Sequence, residues 1–145
     1  MNVLVDTSVW IDYFRGGEGS DKLDLLIDEN LLVTNDIILA ELIPFLKVRS
    51  QTEVITLLQK INRVPLQIHL SEIIEFQVKC LQNGANGIGI PDLIIAQNAK
   101  LNNCEIYALD KHFKLLNQVI DLKLFQYTYS SLTATMTGAI WLVTK

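Results

Sequence analysis

The chain has 145 residues, half of them hydrophobic, and a formal net charge of −4. That length suits one globular domain with a sizeable core, and the composition excludes a disordered chain. A negative balance excludes any general attraction to polyanions, so a nucleic-acid partner needs a local basic patch or bound cations.

The chain opens on an apolar run, Val3-Leu4-Val5, that stops at Asp6. This pattern predicts a buried parallel strand, with a helix over residues 9–14 after the Thr7-Ser8 pair. Gly16 and Gly17 end that helix. Ser20-Asp21 is expected to cap a second one over 21–30, with Leu23, Leu26 and Ile27 on one face. Residues 31–33 are the second predicted strand. Asn35-Asp36 offers a cap to a helix over 37–48, which is apolar almost all round and carries Pro44, expected to bend it. A helix over 52–61 follows. Residues 64–68 read as a third strand whose proline suits a sheet edge. Ser71-Glu72 opens a helix to residue 83, and residues 84–89, with three glycines, form a turn. Pro91 begins a helix to residue 102. Residues 106–109 are the fourth strand, ended by Asp110. A short helix over 111–120 and a fifth strand over 122–127 complete the alternation.

Strands alternating with helices predict an α/β fold on a parallel sheet. Residues 1–127 read as one domain. Residues 128–145 are an extension of unknown role: an added strand, a dimer contact or a segment foreign to the fold. Cys80 and Cys104 form no CxxC pair, which suits free thiols in a reducing cytoplasm. The N-terminus lacks a basic flank, and no apolar run approaches the roughly 20 residues of a membrane span. A soluble cytoplasmic protein without a membrane partner is the expectation.

Four acids carry the chemistry. Asp6 and Asp110 each end an apolar strand, at the sheet edge where α/β folds bind ligands. Glu41 has Ile37, Ile38, Pro44 and Phe45 as its helical neighbours, so a solvated stripe is not expected there, and a buried lone carboxylate is costly. Asp92 lies in the first turn of its helix, with Ile95 and Ala96 on its face. Singly, each acid has a structural explanation as a cap, a dipole partner or a core-edge residue. Jointly they lack cations at helix-pair spacing, and carboxylates gathered without cations call for a metal. Hard oxygen ligands select Mg²⁺ or Mn²⁺. Such ions activate water against a phosphodiester. Asp12 and Asp36 are set aside, the first as solvated and the second as a helix cap.

The runs VLVDTSVWIDYF, TNDIILAEL, GIPDLIIAQNAK and YALDKHFKLL resemble the four acidic motifs of PIN-domain nucleases. Their order and spacing in a short chain are similar to the toxin component of VapBC toxin–antitoxin systems. The resemblance covers residues 1–127. It implies a five-stranded parallel sheet flanked by helices and a Mg²⁺- or Mn²⁺-dependent endoribonuclease, homodimeric and neutralised by a cognate antitoxin. Carried over by position, the metal-binding and catalytic acids are Asp6, Glu41, Asp92 and Asp110, with Thr7 or Ser8 as supporting hydroxyl. The chain departs from the family pattern twice, at His112, where another acid is common, and at Ala108, where threonine is common.

Arg15, Lys111 and Lys114 are candidates for the RNA backbone, the two lysines because they closely follow Asp110. His69 and His112 lack the context of a zinc site and are read as structural. Trp10, Tyr13 and Phe14 form an aromatic stripe suited to core or partner docking. The apolar helix over 37–48 has more greasy surface than one sheet covers, which predicts self-association. Two other functions stay open: a catalytically silent PIN-like binding module, and a receiver-like phospho-acceptor domain.

Overall fold

The computed structural model of the chain describes residues 1–126. Strand β1 (Val3–Val5) is the centre of a three-stranded parallel sheet in the order β2-β1-β3, with β2 at Leu32–Val33 and β3 at Glu105–Tyr107. All three residues of β1 are buried, as a central strand covered on both faces demands. Val3 is paired with Leu32 on one side and Glu105 on the other.

The third and fifth predicted strands shrink to single parallel bridges at the sheet's two edges, Thr34 with Arg63 and Ile106 with Leu124. The cause at the first edge is visible in the hydrogen bonds. Val64 donates to the Thr34 carbonyl. Pro65 then has no N–H to give, and its carbonyl accepts from the Asn98 side chain at 2.6 Å. Gln97 binds both the N–H and the C=O of His69. Side-chain amides of one helix have replaced the ladder. At the other edge, Phe125 donates to the Ile106 carbonyl and its ring lies 5.1 Å from that of Tyr107. The last residue of the expected fifth strand and the extension 128–145 lie outside the described residues.

The helices are α1 (Thr7–Phe14), α2 (Leu23–Asp28), α3 (Asp36–Val48), α4 (Thr52–Leu58), α5 (Leu70–Gln82), α6 (Ile90–Leu101) and α7 (His112–Asn117). None of the described helices is long and apolar enough to cross a membrane. Their caps differ from expectation in detail. Asn35, not Asp36, caps α3 by accepting from the Ile38 N–H, while Asp36 pairs with Arg63 at 3.1 Å. Ser20 does not cap α2; its N–H donates to Asp12 instead.

The apolar surplus on α3 is covered by α1, α4 and α6. Leu39, Leu42 and Leu46 are buried, and among its large hydrophobic residues only Val48 is fully exposed. The uncovered greasy face belongs to α5, where Leu70, Ile74, Val78 and Leu81 are all exposed.

A seam of buried amides locks α3 to α6. Asn35 donates to the Asn98 side-chain oxygen at 2.7 Å, and Gln97 donates to Glu72 at 2.8 Å. Asn35, Gln97 and Asn98 have no exposed surface. The seam and the sheet together fix the starts of α1, α6 and α7 at one end of the molecule.

Candidate metal centre

Asp6 follows β1 directly and is the N-cap of α1. Its carboxylate accepts from the Ser8 N–H at 3.1 Å and the Ser8 hydroxyl at 2.7 Å. The Ser8 oxygen in turn accepts from the Leu109 N–H at 3.0 Å. One hydroxyl therefore ties the end of β1 to the segment after β3. Asp6 is only 4% exposed. Burial pushes its carboxyl above the usual range, the Ser8 bonds oppose that, and the charges of Asp110 and Asp92 add to the rise.

Asp92 is in the first turn of α6, after Pro91. Its pKa is raised first by burial and then by Asp110; His112 and the Gly89 N–H pull it down. Asp110 lies three residues beyond β3 and accepts from the His112 N–H at 3.0 Å, at the start of α7. Glu41 differs from expectation: the residue is exposed, its stem flanked by apolar neighbours but not enclosed by them. Its carboxyl is still raised, by partial burial and by the charges of Asp6, Asp92 and Asp110. All four acids thus act on one another. None of the leading influences on Asp6, Glu41 and Asp92 is a lysine or an arginine.

The Thr7 hydroxyl sits near enough to Glu41 to temper that rise, yet among the described residues its buried oxygen makes no hydrogen bond of normal geometry. Crowded carboxylates that resist ionisation, beside an orphaned hydroxyl oxygen, are an oxygen-rich donor set suited to a hard divalent cation. Donor atoms of Asp92, Asp110 and His112 all lie within 4.8 Å of one another.

His112 is the residue the sequence reading missed. Its Nδ1 is 3.1 Å from an Asp92 oxygen. The signal was its position, two residues after Asp110, where the resemblance calls for an acid. Asp12 also differs, since it is not simply solvated. Its carboxylate receives the Ser20 N–H at 2.9 Å and lies so close to Gly17 that a Cβ there would be 2.1 Å from its oxygen. Asp12 thus folds the loop after α1, which Tyr107 secures by donating to the Gly19 carbonyl at 2.6 Å. The nearby Gly16-Gly17 and Gly19-Ser20 pairs were the available clue.

Lys111 and Lys114 are exposed beside Asp110. Arg15 is not brought to the acids. It caps the far end of α1, about 13–14 Å along the axis from Asp6. There it lines a groove of about 210 Å³ with Phe14, Phe45 and Arg49. Of the aromatic stripe, Trp10 is buried and stacks on Phe14 at 5.9 Å.

Residues 3–118 match the PIN domain family. The chain belongs to that family. PIN domains are generally nucleases that use divalent metal, and the match removes the receiver-like alternative. Two solved structures share the fold. VapBC2 from Rickettsia felis, bound to a DNA fragment from its promoter, has 21% identity and a TM-score of 0.68; the match covers 88% of this chain and all of that one. FitAcB from Neisseria gonorrhoeae has 21% identity and a TM-score of 0.60, over 86% of this chain and 96% of its own. A search of curated protein sequences finds no match.

Proposed function

We propose that this PIN domain is a Mg²⁺- or Mn²⁺-dependent endoribonuclease toxin, acting in the cytoplasm and neutralised by a cognate antitoxin. The observation that carries the reading is the meeting of Asp6, Glu41, Asp92 and Asp110, drawn from four separate segments, without lysine or arginine among their leading partners. The likeness to complexes named VapBC2 and FitAcB supports the toxin role and the antitoxin partner.

A bound divalent cation supplies Lewis-acid activation of water and charge compensation at the phosphodiester. The chain's own residues do the rest. Asp6, Asp92 and Asp110 would hold the cation, with Glu41 joining them directly or through water. Ser8 fixes the orientation of Asp6 by its two hydrogen bonds. Glu41, exposed and with a raised pKa, is suited to take a proton from the attacking water. Lys111 and Lys114 meet the RNA backbone beside Asp110.

Purified protein should cleave mixed RNA in Mg²⁺ or Mn²⁺ and lose that activity in EDTA. Full cleavage in excess EDTA contradicts the cation requirement. Absence of cleavage under every ion favours the silent binding module.

We assign self-association to α5 instead of α3. At 100° per residue, Leu70, Ile74, Val78 and Leu81 fall within about 80° of one another on its exposed side. Antiparallel pairing about a two-fold axis sets Leu70 against the partner's Leu81. Light scattering should show a dimer that Ile74→Glu converts to a monomer. A monomeric wild type at high concentration contradicts the assignment.

A further inference from the structure

The geometry points to His112 as a direct ligand of the divalent cation, and so as the residue that sets which cation this chain prefers. The inference rests on the metal-centre reading above. It goes beyond that reading by giving the site a nitrogen donor and a different cation preference from an all-carboxylate centre.

Three donors from two separate segments converge here: Asp92 from α6, and Asp110 with His112 from the start of α7. The 3.1 Å between His112 Nδ1 and the Asp92 oxygen matches the separation of adjacent ligands on an octahedral ion, about 3 Å for bonds of about 2.1 Å. The ring is not free to wander. The His112 N–H is held by the Asp110 carboxylate, which fixes the backbone from which the imidazole projects. The side chain is 34% exposed and that of Asp92 is 18% exposed, so solvent ions reach both.

An imidazole in place of a carboxylate changes the centre twice. It removes one negative charge, which weakens the hold on Mg²⁺, an ion that binds chiefly through charge and oxygen. It adds a borderline nitrogen donor, which favours Mn²⁺ and, more strongly, Co²⁺, in line with the rise in nitrogen affinity along the first transition row. The chain therefore binds transition-metal dications in preference to Mg²⁺, by a wider margin than its four acids alone provide. In the metal-free protein the same imidazole contacts Asp92 and partly offsets the crowding of the carboxylates.

The test needs no RNA. Isothermal titration of the full chain with MgCl₂, MnCl₂ and CoCl₂ gives the ratio of Co²⁺ to Mg²⁺ affinity for wild type, His112→Asp, His112→Asn and Asp92→Asn. His112→Asp and His112→Asn should each lower that ratio at least about tenfold. His112→Asp should do so partly by strengthening Mg²⁺ binding. Two variants guard against one failing to fold, which circular dichroism checks. A ratio within twofold of wild type in a folded His112 variant overturns the role of His112 and leaves the metal centre standing. If wild type binds none of the three ions, or Asp92→Asn binds them as wild type does, the metal-centre reading fails and this inference with it.

Discussion

Helix α6 carries two polar clusters that differ in where their hydrogen bonds end. In its middle, Gln97 and Asn98 are fully buried, neutral and partnered: by Asn35, by the Pro65 and His69 backbone, and by Glu72. In its first turn, Asp92 faces other acids, and its pKa is raised by burial and by Asp110. The amides complete one another inside the protein; the carboxylates repel one another, and their hydrogen bonds to Ser8 and His112 leave that crowding only partly offset. Both clusters lie in one motif run, GIPDLIIAQNAK. A polar residue in a motif is therefore not thereby a catalytic one. The distinguishing property is whether the fold itself satisfies it.

Breaking the amide seam should give the largest loss of stability. Asn98→Leu leaves the Asn35 amide without its partner and the Pro65 carbonyl with only the longer 3.4 Å bond from Asn102, at about 1–3 kcal/mol for a buried group left unpaired. Urea unfolding should show the loss, while the melting-temperature rise induced by Mn²⁺ persists. A Mn²⁺ response that disappears with Asn98 would merge the two clusters into one.

A smaller effect separates them by pH. Asp6, Glu41 and Asp92 have folded pKa values above their ordinary ones, 3.8 for aspartate and 4.5 for glutamate. An acid so raised binds more protons folded than unfolded between the two values. Its stabilisation is complete below the unfolded value and is lost as pH rises through the folded one. The metal-free protein should therefore melt lower as pH climbs from the ordinary carboxylate range toward neutrality. Added Mn²⁺ should flatten the decline, because a cation rewards the ionised forms. The seam is uncharged apart from Glu72, so Asn98→Leu should shift the curve with little change of slope. Equal slopes with and without Mn²⁺ would contradict the picture.

Much of this was legible in the sequence, for physical reasons that can be named. β1 was clear because a strand buried on both faces must be continuously apolar. The placement of Asp6, Asp92 and Asp110 was clear because each stands at a boundary where a strand ends or a helix begins. The edge strands were over-read. Residues 64–68 have strand-like composition, and only the positions of Gln97 and Asn98 in space show that the backbone there is bound elsewhere. Glu41 was read as enclosed because helical spacing gives its neighbours but not the open side of the site. The greasy face was expected on α3, whose composition is the more apolar. Packing covers α3 and leaves α5 uncovered, and pairwise helix contacts are not written in either helix alone. His112 was passed over because one histidine in isolation is most often structural; its role depends on Asp92, twenty residues away.

The clustered carboxylates have no lysine or arginine among their leading partners, which is what a site that holds a cation for RNA cleavage requires. Asp92→Asn tests that role most directly, with cleavage measured in Mn²⁺ and thermal melting measured with and without the ion. Asn keeps the shape and removes one of the mutually repelling charges, so the metal-free variant should melt at or above wild type. Its Mn²⁺-induced rise in melting temperature should shrink. Cleavage should fall by more than about 100-fold, beyond the loss typical of residues that only support a ligand. A variant that cleaves RNA as wild type does, with an undiminished response to Mn²⁺, would contradict the claim.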